Sequence, residues 1–307
     1  MRDLQQGIEL ASRYTLVRKL GTGGAAETWL ATDRLTRASV ALKILTSERV
    51  AAADFHREWQ TGIRLMHAHI VRVFEYSDDN DCPFYSQQFI DGPDLSVLSG
   101  APLQDILGPI ALIADALRYA HAKGVVHRDI KAANILLDRN GAPYLVDFGV
   151  AAVAGSAAGG GSLIAASPAS LAGAAPQPAD DIFALGGLIY ELVSGASPYS
   201  SSATAEDIRE KVPGRLTLAD GTSAPTAISK LVASMLDKDA AARPAAEDIV
   251  ATLEAAGFTA APAPKHYVRD AQSDAIEQIA VSENLHPKVR HAAAAAVADA
   301  KPCLLYT

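Results

Sequence analysis

Two hydrophobic rhythms divide the chain. From Tyr14 to Ile90, short apolar runs mostly alternate with polar residues, the period of half-buried strands. Five strands are predicted there: Tyr14–Leu20, Glu27–Ala31, Ser39–Leu45, Val71–Tyr76 and Phe84–Ile90. A glycine turn, Gly21-Thr22-Gly23-Gly24, separates the first two, and a polar turn over Asp33–Arg37 precedes the third. One helix interrupts them over Asp54–Met66, where Phe55, Trp59, Ile63 and Met66 recur at helical spacing. Asp91-Gly92-Pro93 then breaks the pattern and is the candidate hinge. From Gln104 the period becomes helical. Ile106, Ile110, Ile113, Ala114 and Leu117 make one long apolar face running to His121, before the stop signal Lys123-Gly124.

Beyond it, Ile135-Leu136-Leu137 and Tyr144-Leu145-Val146 flank Asp138-Arg139-Asn140-Gly141. Asn-Gly between apolar runs predicts a hairpin, since both residues tolerate positive φ. Val150–Ala179 carries no charge and is rich in Ala, Gly and Ser, the composition of a flexible loop. Further helices are predicted over Ile182–Val193, capped by Asp180-Asp181, then over Ala205–Lys211, Ala227–Leu236 and Ala245–Ala255. Strands first and helices afterwards make an α+β fold of two lobes, a small β-rich one over 14–91 and a larger helical one over 92–257. A Pro/Ala-rich linker follows over 258–269. Two alanine-rich helices, Asp270–Ser282 and Pro287–Asp299, form a short tail over 270–307 that is too small for a core of its own.

Composition narrows the picture. Hydrophobic residues are 49% of the 307 but aromatics only 6%, so the core is ample and finely packed. The net charge is −8 with no Lys/Arg block, which excludes a basic nucleic-acid-binding face. Two distant cysteines, Cys82 and Cys303, give no disulfide framework and fit a reducing setting. The opening MRDLQQGIEL lacks a signal peptide's apolar core, and no apolar stretch reaches the roughly 18 residues of a membrane span. A soluble, cytoplasmic chain is expected.

The hairpin carries the candidate chemistry. It brings Asp129, Lys131, Asn134 and Asp147 to one end of one small sheet. Two carboxylates, an amide and an ammonium gathered there suit a metal-bound polyphosphate. The glycine turn is either a plain hairpin turn or a phosphate cradle, because glycine lets backbone N–H groups approach an anion. Lys43 follows it in Val40-Ala41-Leu42-Lys43-Ile44, where it is either solvated or directed at phosphate. Glu58 is either a surface carboxylate or the ion-pair partner of Lys43. His67 and His69 are not read as a metal site, since zinc takes three or four ligands and no third stands nearby.

In order along the chain stand LGTGGAAETWLATD, VALK, Glu58, HAHIVRVFEY, HRDIKAAN, DFG, DIFALGGLIYELVSGASPY and ARPAAEDIV. This series resembles a eukaryotic-type serine/threonine protein kinase of the kind found in bacteria, over roughly Tyr14–Gly257. The resemblance implies a bilobal protein-kinase-like fold and ATP and Mg²⁺ as cofactors. It implies a protein partner that offers a Ser or Thr hydroxyl. Leu20, Gly21, Thr22, Gly23, Gly24 and Thr28 would cover the nucleotide. Lys43, paired with Glu58, would contact the α and β phosphates. Ala41 and Leu136 would sandwich adenine, Gln88–Ile90 would be the hinge strand, and Gln87 a polar gatekeeper. Asp129 would be the base, Lys131 would steady the γ-phosphate, and Asn134 and Asp147 would hold the metal.

The chain departs from the family pattern at three places. Ala26 replaces the third glycine, and its methyl is expected to stiffen or lift the loop. Ser167-Pro168-Ala169-Ser170-Leu171-Ala172-Gly173-Ala174 lacks the family's tyrosine, proline and glutamate, which leaves Arg243 without its usual carboxylate partner. Ser167 is expected to bond Asp129 in place of the family's threonine. Arg128 implies control by phosphorylation, for which only Ser156, Ser162, Ser167 and Ser170 offer hydroxyls between Val150 and Ala179. Three functions follow: an active kinase, a nucleotide-binding module with little transfer, or a scaffold whose C-terminal helices bind a partner.

Overall fold

The computed structural model describes residues 4–46, 52–78, 82–148, 166–200 and 203–258. The predicted tail helices, most of the linker, Ser156 and Ser162 lie outside them. Six strands form one antiparallel sheet: β1 Glu9–Leu10, β2 Tyr14–Thr22, β3 Ala26–Asp33, β4 Ser39–Leu45, β5 Val73–Ser77 and β6 Phe84–Gln88. Their order is β1-β2-β3-β4-β6-β5. Alternation sends Tyr14, Leu16, Trp29, Ala31, Leu42, Ile44 and Phe84 into one core. The edge of the Tyr14 ring meets Phe84 at 5.8 Å. β1 is a sequence-level miss, too short to show a period.

Helix α1, Ala52–Gly62, closes a second cluster with Ala26, Phe55 and Tyr85. It ends at Gly62, not at the expected Met66. Glycine is a poor helix former, and here its bare Cα faces β5: a Cβ would lie 2.8 Å from Val73 Cγ2. The predicted stripe is also displaced. Phe55, Glu58 and Gly62 turn inward, while Ile63 and Met66 are exposed.

The second lobe is built on α2, Leu103–Ala122, whose Ile106, Ile110, Ile113, Ala114 and Leu117 are fully buried. Around it lie the hairpin β7 Ile135–Leu137 and β8 Pro143–Leu145, a short α3 Pro168–Leu171, and α4 Pro178–Ser194. α5 Ala205–Glu210, α6 Thr226–Met235 and α7 Ala246–Ala255 complete the lobe. α4 starts four residues before the predicted Ile182, because the Asp180 carboxylate accepts from the Gln177 N–H at the helix start and Pro178 takes the first turn. Asp180 and Asp181 are therefore inside the helix. The predicted hairpin is present, its loop one residue longer than the expected Asp138–Gly141 turn. Leu137 pairs with Pro143, so the loop spans Asp138–Ala142, and only Gly141 takes a positive φ, of 72°. Asp138 accepts from the N–H groups of Asn140 and Ala142, which fixes the wider loop. No helix among the described residues is long and apolar enough to cross a membrane.

The lobes meet through backbone. Val71 donates to the Leu145 carbonyl and Leu145 to the His69 carbonyl, each at 2.9 Å. Pro93 accepts from Leu137 at 2.8 Å, which brings the chain after the candidate hinge directly onto β7. Glycine is required at 92, since a Cβ there would sit 1.9 Å from the Leu137 carbonyl oxygen. Gly92→Ala is expected to lower stability by about 1–3 kcal/mol, the range for overpacking. The check is a lower urea midpoint at unchanged m-value. Gly21→Ala, where an added Cβ meets no atom within 4 Å, is expected to leave the midpoint in place.

Candidate active site

The loop leading into β7 is shaped by a buried carboxylate. Asp181 Oδ1 accepts from the Arg128 N–H at 2.7 Å, and Oδ2 from the His127 N–H at 2.8 Å. His121 Nε2 donates to the same Oδ2 at 2.8 Å. Arg128 has φ of +72°, a left-handed conformation costly for a residue with a Cβ, so its hydrogen bond holds a strained backbone. Asp181 is thus not the N-cap that its sequence position suggests. Its place one residue past the capping Asp180 is the signal that it has other work. His127 is fully buried, and its tautomer is set by its partners. Nε2 donates to the Val146 carbonyl at 2.9 Å, and Nδ1 accepts from the Asp129 N–H at 3.2 Å. The edge of its ring meets Phe148 at 4.8 Å.

Asp129 stands on this loop. Its Oδ2 accepts from Lys131 Nζ at 2.7 Å and from Asn134 Nδ2 at 2.8 Å. Asn134 Nδ2 also reaches the Asp129 carbonyl, at 2.8 Å. The Asp129 and Lys131 side chains are 41% and 36% exposed, open to an incoming molecule. Across the cleft, Lys43 of β4 donates to Glu58 Oε1 of α1 at 2.7 Å and to Asp147 Oδ1 at 2.9 Å. Strand alternation places Lys43 on the face opposite Leu42 and Ile44. Asp147 adopts φ of +57°. Burial pushes the Lys43 ammonium towards neutrality, but Asp147 and Glu58 outweigh it and raise its pKa well above the usual lysine value. Burial likewise pushes Asp147 up, and Lys43 brings it below the usual carboxylate value. The structure thus joins Lys43, Glu58 and Asp147 in one network and Asp129, Lys131 and Asn134 in another.

A separate apolar cluster joins Val71, Ile90 and Val146, with Leu136 and Tyr144 packed against it. Ala41 is buried in β4, on the opposite lobe from Leu136 of β7, and its backbone pairs with that of buried Gln87. Gln88 donates its N–H to the Arg72 carbonyl at 2.8 Å. The Gly21–Gly24 turn closes on itself, Gly23 N–H to the Ala26 carbonyl at 2.8 Å, while Leu20 is exposed and Thr28 pairs with both Gly21 and Lys43. The Ala26 methyl is buried with Phe55 and Tyr85 at the α1 contact.

Asn134 and Asp147 offer amide and carboxylate oxygens, hard donors that suit Mg²⁺. Among the described residues no group of three or more His, Cys, Asp or Glu is placed to hold a metal, so an ion there would need ligands from a bound phosphate or water. His67 and His69 face Asp115 and the Pro143 carbonyl, at 3.1 and 2.9 Å.

One expectation for the segment before α4 is corrected. Ser167 Oγ donates to Asp180 Oδ1 at 2.5 Å and caps α3 by accepting from the Ser170 N–H; Asp129 is not its partner. Arg243, lacking the family's glutamate, takes other partners. Its guanidinium, fully buried, donates to the carbonyls of Asp237 and Ala179 at 2.8 Å and of Lys238 at 3.3 Å. It stacks over Phe183 at 4.8 Å and lies 4.0 Å from Asp180 Oδ1. The early start of α4 supplies Ala179 and Asp180 where the missing glutamate was expected.

The Lys43–Asp147 contact has a pH signature. A carboxylate whose folded pKa is depressed adds stability above its unfolded pKa, about 3.9, and loses it as pH falls through the folded value. Lys43→Met is expected to cost about 1–3 kcal/mol at pH 7, between exposed and buried pairs. The deficit should shrink as pH drops below about 4. Urea midpoints of both proteins across that range are the check.

The protein kinase domain family matches residues 14–253, from the start of β2 into α7. The DNA damage-responsive serine/threonine-protein kinase RqkA of Deinococcus radiodurans is 30% identical over 266 residues, covering 78% of this chain and 39% of that protein. Serine/threonine-protein kinase PkaA of Streptomyces coelicolor is 32% identical, covering 78% and 49%. Serine/threonine-protein kinase PknD of Mycobacterium tuberculosis is 33% identical, covering 75% and 37%. The chain spans less than half the length of these curated relatives. The crystal structure of the Mycobacterium tuberculosis PknI kinase domain, in a mutant form, superposes with a TM-score of 0.66 at 24% identity, over 83% of this chain and 100% of that one, a likeness of fold. With that fold and a family match running from the sheet to the closing helix, the chain belongs to the protein kinase family.

Proposed function

We propose that the chain is a serine/threonine protein kinase of bacterial signalling, which moves the γ-phosphoryl group of ATP onto a Ser or Thr hydroxyl of a protein. The observation that carries this reading is the placement of Lys43 between Glu58 and Asp147, together with Asp129 held by Lys131 and Asn134 on the loop before the hairpin that leads to Asp147. Phosphoryl transfer asks the protein for in-line placement and neutralisation of charge more than for covalent chemistry.

In this reading Leu20–Gly24 and Thr28 cover the nucleotide. Ala41, Gln88, Ile90 and Leu136 receive adenine. Lys43 engages the α and β phosphates, and Glu58 orients it. Asp129 accepts the acceptor hydroxyl's proton as the new O–P bond forms and the bond from γ-phosphorus to the ADP oxygen breaks. Lys131 offsets charge on the transferring group. Asn134 and Asp147 would hold Mg²⁺, which when bound neutralises phosphate oxygens. The serine/threonine class is supported by Lys131, two residues after the base, and by the likeness to serine/threonine-protein kinases. The cytoplasm, which supplies ATP, is the proposed setting, and the 270–307 segment is a proposed partner-binding tail.

The test is incubation with labelled ATP, Mg²⁺ and a generic acceptor protein, beside Asp129→Asn. Transfer is expected in the parent protein and a loss of about 10²–10⁴-fold in the variant, the contribution of a positioned base. Nucleotide binding with no transfer to any of several acceptors would overturn the proposal in favour of a binding module.

A further inference from the structure

We propose that Tyr85 is a positioning residue for this reaction: its hydroxyl holds Glu58, and with it α1, so that Lys43 is set for the phosphates. The inference rests on the kinase reading above. In the β4–β6 ladder Lys43 and Tyr85 are direct partners, and cross-strand partners project to the same face. Both reach one atom. Glu58 Oε1 accepts from Lys43 Nζ at 2.7 Å and from the Tyr85 hydroxyl at 2.9 Å. The Glu58 side chain is only 2% exposed, and its Oε2 is buried with no hydrogen-bond partner among the described residues.

A buried carboxylate is costly unless hydrogen-bonded. Glu58 has donors on one oxygen only, so each of them matters. The two are not equivalent. Lys43 is shared with Asp147, and both groups are proposed to turn to nucleotide and metal. Tyr85 is committed from inside the sheet and depends on neither ligand. Burial, together with the Glu58 and Asp147 carboxylates, pushes the pKa of its hydroxyl well up against the opposing pull of Lys43, so it remains a donor. Its ring is fixed as well. Phe55 of α1 packs against it at a tilt of 34° with centroids 5.2 Å apart, and Ala26 joins the same buried cluster. The phenol therefore joins the base of the glycine turn, the strand bearing Lys43 and the helix bearing Glu58.

Tyr85→Phe keeps the ring and removes only the donor. It is expected to lower kcat about tenfold, the loss of one hydrogen bond to a charged group, with KM for ATP changed less than kcat. In a Glu58→Ala background the same change should cost nothing further, because the acceptor is gone. An unchanged kcat, or an equal loss in both backgrounds, would reduce Tyr85 to packing. A second readout needs no turnover. Amide hydrogen exchange in α1 should quicken about tenfold in Tyr85→Phe while α2 is unaffected. Unchanged exchange in α1 overturns the proposal. A parent protein that transfers no phosphate overturns the kinase reading and leaves the exchange test intact.

Discussion

An ammonium buried between two carboxylates is stable only while the elements carrying all three charges hold their places. Lys43 comes from the sheet, Glu58 from α1 and Asp147 from the strand end behind β8. At low effective dielectric each attraction is strong, and loss of Lys43 leaves two carboxylates without their shared counter-ion. Position is therefore the critical variable, and the junction of the lobes serves it. The Val71–Leu145 and Leu145–His69 bonds and the close approach at Gly92 fix the sheet on the hairpin that leads to Asp147. The network is as rigid as that junction.

The other half of the site is fixed from below. Non-glycine residues at positive φ cost about 1–3 kcal/mol each, and two of them, Arg128 and Asp147, flank the hairpin. Such conformations persist only where surrounding interactions over-determine them. Asp181 supplies two acceptors to the 127–128 backbone, and His127 links that backbone to the Val146 carbonyl. One carboxylate from α4 and one imidazole, both buried, thus hold the Asp129 loop and the loop bearing Asp147 in fixed relation.

Much of this is legible in the sequence where a short period or a fixed spacing carries the signal. The strands of the first lobe, α2 and the Lys43, Asp129 and Asp147 neighbourhoods can be placed from pattern and motif. What escapes depends on tertiary partners. Glu58 lies off the apolar stripe that a helical wheel selects, yet α1 buries it beside Phe55 and Gly62. Its inward position is matched by Lys43 and Tyr85, which both donate to it. Asp181 resembles a cap because local rules assign an Asp at a helix start to the backbone just beside it. Its true partners lie more than fifty residues earlier in the chain. Tyr85 gives no signal at all, since an aromatic in a strand is ordinarily packing.

The altered segment before α4 is accommodated by the same principle. A buried guanidinium needs acceptors, and a missing glutamate would leave Arg243 costly to keep. Here α4 begins early enough for the Ala179 carbonyl and the Asp180 carboxylate to serve it, and Ser167 bonds Asp180 in turn. The second lobe keeps its interior without the family's residues at 167–174. The interactions that hold Lys43, Asp129 and Asp147 arise from β4, α1, β6, the 127–134 loop and α4. Divergence at 167–174 meets this set only at α4, where Ser167 bonds Asp180, one residue before the Asp181 that holds the 127–128 backbone.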